Sequence, residues 1–150
     1  MPPPWAYFDT SVLVKRYVKE EGAARARRLL RRHRFLSSAI LPVEALAAFR
    51  RRRTSGELAA GHHAAIVVRL QEDRGHWELV ELTAPVLGRA EQLATEEDLR
   101  ALDALHVASA LEFETAIGTR IPFVTADRRQ REAARRVGLD VVWVGAEIRA

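Results

Sequence analysis

The sequence predicts an α/β domain with a central, mostly parallel sheet of four to five strands flanked by helices. Short apolar, β-branched runs alternate with longer segments of helical periodicity, the order that builds strand–helix–strand units. Helix-starting or turn-forming residues, among them Gly22, Pro42, Gly56, Gly75, Pro85 and Gly138, punctuate those segments. A chain of 150 residues can bury a core without disulfides, and no repeat or linker divides it, so one domain over 1–150 is expected.

Ala6 to Phe8 is the first strand, followed by a helix with Val12, Leu13, Val14, Tyr17 and Val18 at amphipathic spacing. Gly22 breaks that helix, and 23 to 33 form a second, with Leu29 and Leu30 inward and arginines outward. Phe35 to Ala39 is a second strand. Pro42 suits a first helical turn, and the helix it opens runs through Val43, Leu46, Ala47 and Phe49 to the arginine run at 50–53. Ser55-Gly56 marks a turn. A helix is predicted over 57–73, with Leu58, Ala65, Val68 and Leu70 carrying its period, and a strand over Trp77–Leu82. Pro85 opens another helix, Leu99 to Glu112 is a strongly apolar one, and Pro122 to Thr125 is a strand. A helix over Asp127–Val137 and a strand over Val141–Val144 complete the order.

Composition narrows the chemistry. With no cysteine there is no disulfide, thiolate metal site or cysteine nucleophile, which fits a reducing compartment. Met-Pro-Pro-Pro-Trp lacks the pattern of a signal peptide, and no apolar run approaches the roughly 18–20 residues of a membrane span, so a cytoplasmic protein is expected. Net charge is +4, mostly from arginine, concentrated at Arg25, Arg27, Arg28, Arg31, Arg32 and Arg34 and again at Arg50 to Arg53. Such runs attract polyanions at long range, although each taken alone reads as a solvated helix face.

Four acids stand where solvation is poor. Asp9 follows a strand, Glu44 lies among Ile40, Leu41, Val43, Ala45 and Leu46, Asp103 interrupts the most apolar helix, and Asp127 follows Phe123-Val-Thr-Ala. Each has a structural alternative: Asp9 or Ser11 can cap a helix, Glu44 and Asp127 can complement helix dipoles, and Asp103 can pair with an arginine. Taken together they point elsewhere. In an alternating α/β fold Asp9 and Asp127 leave strands at one sheet edge, while Glu44 and Asp103 begin or line helices able to pack over it. Converging carboxylates repel unless a divalent cation neutralises them, and oxygen donors without His or Cys suit Mg²⁺ or Mn²⁺. Ser11 and Thr125, each two residues from an acid, can offer hydroxyls to the ion or to the carboxylates around it.

His106 lies on the same side of its helix as Asp103 and is expected to make a structural hydrogen bond rather than to act as a base. His33, His62, His63 and His76 show no ligand spacing with the acids and read as surface residues.

In four places the chain resembles the PIN-domain ribonucleases, most closely the VapC-type toxins of bacterial and archaeal toxin–antitoxin pairs. Asp9-Thr-Ser-Val-Leu-Val-Lys is similar to the opening motif, Pro42-Val-Glu44 to the second acid, Leu102-Asp103-Ala-Leu-His-Val-Ala-Ser-Ala to the third, and Val124-Thr-Ala-Asp127-Arg-Arg to the last. The resemblance implies a three-layer domain and a pocket of Asp9, Glu44, Asp103 and Asp127 holding one or two Mg²⁺ or Mn²⁺ ions. It also implies an endoribonuclease in which metal-activated water hydrolyses RNA, leaving a 5′-phosphate and a 3′-hydroxyl. Asp9 and Asp103 are the expected direct ligands, with Asp127 and Glu44 at a second ion or orienting water. A cognate antitoxin, lying across the acidic groove, and a homodimer are the expected partners. Two rivals stand beside this reading. A non-catalytic nucleic-acid-binding module would bind RNA even without Asp9. A phosphotransfer domain would use Asp9 as nucleophile, but such enzymes commonly carry a second acid two residues on, where this chain has Ser11.

Overall fold

The structure, a computed structural model, describes residues 1–146. Its elements run β1 (Trp5–Phe8), α1 (Thr10–Tyr17), α2 (Ala23–Arg32), β2 (Arg34–Ser38), α3 (Leu41–Thr54), α4 (Ala60–Asp73), a 3₁₀ turn (Arg74–His76), β3 (Glu78–Val80), α5 (Ala84–Glu96), α6 (Ala101–Ile117), β4 (Pro122–Thr125), α7 (Arg128–Arg136) and β5 (Asp140–Trp143).

The five strands form one sheet in the order β3-β2-β1-β4-β5, and every pairing is parallel. The chain builds outward from β1 through β2 to β3, then returns to the other side of β1 for β4 and β5. β1 and β4 therefore flank the point where strand order reverses, and a crevice opens beyond their C-terminal ends, where open α/β sheets place ligands.

Period-2 alternation divides the core between the two faces. Ala6, Phe8, Phe35 and Val124 point into a cluster shared with α1 to α4, through Leu13, Ala26, Phe49, Ile66 and Leu70. Tyr7, Leu36 and Phe123 point the other way, against Leu93 of α5, Ala104 and Val107 of α6 and Ala134 of α7. The three layers match the expectation. Within α6 the small residues Ala104, Ala108, Ser109 and Ala110 are buried, which lets this helix lie close against the sheet.

Several boundaries differ from the sequence reading, among them the end of α6, which runs to Ile117 rather than Glu112. The helix expected from 57 begins at Ala60, because 55–58 form a turn, and Leu58 is buried from that turn. The buried face of α4 is Ile66 and Leu70, whereas Ala65 is exposed and Val68 is 58% exposed: an outer helix of this kind buries only a narrow i, i+4 stripe. The strand expected over Trp77–Leu82 contracts to Glu78–Val80 at the sheet edge, where it has one partner strand, β2. Leu99 stays outside α6, since Arg100 keeps extended backbone (φ −73°, ψ 159°) before the helix. Among the described residues no helix is long and apolar enough to cross a membrane.

Candidate active site

Asp9 leaves β1 with its backbone N–H donating to the Val124 carbonyl at 3.2 Å, which extends the β1–β4 pairing by one residue. Its backbone stays extended (ψ 174°), and its carboxylate accepts from Val12 N at 3.3 Å, so Asp9 caps α1. The cap is only part of its environment. Ser11 Oγ donates to Oδ1 and Thr125 Oγ1 donates to Oδ2, each at 2.5 Å. The residue is only 1% exposed. Burial pushes its pKa up to about 6, although His106 and the Ser11 and Thr125 hydroxyls pull it back, while the charge of Asp127 adds to the rise.

The same hydroxyls hold the exit of β4. Ser11 Oγ accepts from Ala126 N at 3.0 Å, and Thr125 Oγ1 accepts from Asp127 N at 3.0 Å. Asp127 caps α7 by accepting from Gln130 N at 3.1 Å. Two strand ends from opposite parts of the chain are thereby tied together with their acids on one side.

Glu44 stands in the first turn of α3. Thr10 Oγ1 donates to its Oε1 at 2.8 Å, and His106 Nε2 lies 2.6 Å from the same oxygen. A carboxylate only accepts, so Nε2 carries a proton toward Glu44, and Nδ1 lies 2.7 Å from the Tyr7 hydroxyl. Burial holds the Tyr7 pKa well above its ordinary value, which keeps the hydroxyl protonated. His106 thus makes the structural hydrogen bonds expected of it, and one of them positions a candidate acid.

Asp103 lies in the first turn of α6, where burial raises its pKa and the nearby Asp127 adds to the rise, while Arg100 opposes both. Arg100 Nε is 3.3 Å from Asp103 Oδ2, and its Nη2 is 3.7 Å from Asp127 Oδ2.

All four acids line one cleft of about 780 Å³. Val14, Ala47, Ala48, Lys15, Glu20, Arg51 and Arg52 line the same cleft. Ser11 touches Asp9, two residues away, whereas Thr125, two residues from Asp127, donates its hydroxyl to Asp9 and accepts from the Asp127 backbone N–H. The structure adds Thr10 and Arg100, which sequence reasoning passed over. Their available signals were weak: Thr10 directly follows Asp9, and Arg100 sits at i, i+3 from Asp103. Of the remaining histidines, His62 and His76 are exposed and His33 and His63 half-buried, and none lines this cleft. The arginine runs divide. Arg51 and Arg52 reach the cleft, Arg25 donates to the Trp143 carbonyl, Arg34 covers the Trp5 ring, and Arg28, Arg31 and Arg32 stand exposed along α2.

Among the described residues no three His, Asp or Glu side chains form a group that could hold a metal ion. The donor chemistry nevertheless fits a hard divalent cation. Every acid in the cleft offers carboxylate oxygen, hydroxyls of Thr10 and Ser11 stand beside them, and burial, with the charge of Asp127 added, raises the pKa values of Asp9 and Asp103.

Residues 6–136 match the family model described as the PIN domain. No curated protein matches the chain significantly. Among solved structures, the chain is similar to a toxin–antitoxin complex from Klebsiella pneumoniae, at 16% identity and a TM-score of 0.64, covering 91% of this chain and 95% of that one. It is also similar to FitAcB from Neisseria gonorrhoeae, at 16% identity and a TM-score of 0.62, covering 91% and 95%. VapBC2 from Rickettsia felis, bound to a DNA fragment from its promoter, matches at 14% identity and a TM-score of 0.59, covering 91% and 96%. At these identities the likeness is one of fold.

Proposed function

This chain belongs to the PIN domain family, and from that premise we propose that it is a Mg²⁺- or Mn²⁺-dependent endoribonuclease, the VapC-type toxin of a toxin–antitoxin pair. PIN domains are generally nucleases. The observation that carries the reading is the meeting of Asp9, Glu44, Asp103 and Asp127 in one cleft at the reversal point of the sheet.

In this reading Asp9 and Asp103 hold the ion, and Asp127 and Glu44 hold a second one or orient water. A bound divalent cation supplies Lewis acidity toward water and toward the phosphate. The protein's own groups prepare the site. Ser11 and Thr125 fix both oxygens of Asp9, so the carboxylate does not rotate away. Thr10 and His106 fix one oxygen of Glu44. In the same cleft Arg51 and Arg52 offer guanidinium groups suited to the phosphates of a strand whose scissile bond lies among the acids. Attack of water on phosphorus with departure of the 3′ oxygen leaves a 5′-phosphate and a 3′-hydroxyl.

The complexes to which the fold is similar support a cognate antitoxin as partner, and in this reading it lies across the acidic cleft. A homodimer and a cytoplasmic location belong to the same reading. The test is to incubate the purified protein with total RNA and Mn²⁺ and to identify the new ends. A 5′-phosphate and a 3′-hydroxyl are expected. Ends with 2′,3′-cyclic phosphate require attack by the RNA's own hydroxyl and would remove the hydrolytic scheme. RNA bound but left uncut would favour a binding module.

A further inference from the structure

Arg100 occupies the position where the acids most need positive charge. Among the described residues it is the only Lys or Arg side chain paired with any of the four acids, and it reaches two of them, Asp103 at 3.3 Å and Asp127 at 3.7 Å. Two other cations of the cleft are held elsewhere: Lys15 is bound by Glu20 and the Glu21 carbonyl, and Arg52 by Glu20. Arg100 also differs from the acids it serves. Its side chain is 68% exposed at the rim, whereas that of Asp103 is 13% exposed. Exposed ion pairs are weak and exchange readily.

We propose that Arg100 is a phosphate-binding residue held in reserve by the acids: it pairs with Asp103 and Asp127 while they lack a cation, and binds the RNA backbone once a cation takes their oxygens. This rests on the metal-dependent reading above. The backbone of Arg100 stays anchored before α6, so the released guanidinium remains at the cleft mouth. Its planar fork matches two oxygens of one phosphate as well as it matches carboxylates. One side chain then serves both states: it limits repulsion in the empty site and adds positive charge beside the bound strand.

The test is calorimetric titration of the parent, Arg100→Ala, Arg100→Lys and Asp9→Asn with Mn²⁺. Salt-dependent binding of a phosphorothioate single strand, which keeps its charge and resists hydrolysis, is then measured for the first three in saturating Mn²⁺. Arg100→Ala is expected to bind Mn²⁺ about three- to tenfold more tightly, the size of one or two exposed ion pairs. Its strand affinity should fall, and the slope against log salt should decrease by about 1, the signature of one lost phosphate contact. Arg100→Lys, which keeps the charge but lacks the fork, should keep the parent's Mn²⁺ affinity and salt slope while binding the strand less tightly. If the parent binds Mn²⁺, Asp9→Asn does not, and Arg100→Ala matches or falls below the parent, the role of Arg100 is overturned and the metal site stands. An unchanged salt slope overturns the phosphate contact. Absence of Mn²⁺ binding from parent and Arg100→Ala alike overturns both proposals.

Discussion

Helix α1 joins two aspartates with opposite properties. At its start Asp9 receives two hydroxyls and a backbone N–H, yet its pKa rises to about 6, because burial outweighs these neutral donors and the pull of His106. In its last turn Arg16 and Tyr17 hold Asp73, the final residue of α4, with Arg16 Nε at 3.0 Å and the Tyr17 hydroxyl at 2.5 Å from one carboxylate oxygen. There burial also pushes upward, but the Tyr17 hydrogen bond and the Arg16 charge outweigh it and leave Asp73 below the usual carboxylate range. Asp73 is a completed structural contact that ties α4 to α1. Asp9 is held firmly in place while its charge stays uncompensated, as expected of a carboxylate reserved for a ligand.

The largest expected effect tests that contrast directly. Asp9→Ala should lower Mn²⁺-dependent RNA cleavage by roughly 10³-fold or more, beyond the 10–100-fold typical of groups that only support a metal ligand. Asp73→Ala should leave the rate per folded molecule within about twofold, because it lies outside the acid cleft. Equal losses in the two variants would erase the distinction.

The second test is pH. A carboxyl whose folded pKa is raised stabilises the fold below its unfolded pKa, and the contribution is lost as pH rises through the folded value. For Asp9, with an ordinary value of 3.8 and a folded value of about 6, stability without metal should fall across that window by on the order of 3 kcal/mol. Asp9→Asn should flatten the decline. Asp73 carries the opposite sign: its lowered pKa contributes stability that is present above the ordinary carboxylate range and lost on acidification, so Asp73→Asn should flatten the acid limb. Chemical denaturation in chelator between pH 3 and 8 measures both slopes.

Smaller effects sharpen the comparison. Asp73→Ala should cost about 1–3 kcal/mol at neutral pH, since Tyr17 and Arg16 lose a charged acceptor. Thr125→Val should slow cleavage about tenfold by freeing one oxygen of Asp9. Asp103→Asn should abolish cleavage yet change metal-free stability by no more than about 1 kcal/mol, because its partner Arg100 is exposed. A large loss of stability in chelator would instead make Asp103 part of a structural ion pair.

Much of this was legible in the sequence, for identifiable reasons. Strands such as Ala6-Tyr-Phe and Phe123-Val-Thr announce themselves by local composition, and Asp9 and Asp127 follow them directly, so strand order carries both acids to one edge. Helix starts were less legible where a turn precedes them, as at 55–58, and the short edge strand β3 was over-extended because Trp77 to Leu82 alternates beyond its actual pairing. Least legible were the partners. His106 meets Glu44 across 62 positions, and Asp73 meets Arg16 and Tyr17 across 57 and 56. Contacts between such distant segments leave no local pattern, so an acid's neighbourhood suggests that it is buried but not whether it is already neutralised.

Cleavage of a defined RNA by the parent, Asp9→Ala and Asp73→Ala, each with Mn²⁺ and with chelator, tests most directly whether the Asp9 carboxylate is kept for a cation. The parent and Asp73→Ala should cut in Mn²⁺ and stop in chelator, while Asp9→Ala should cut in neither. Cleavage that persists in chelator, or Asp9→Ala cutting at the parent rate, would contradict it.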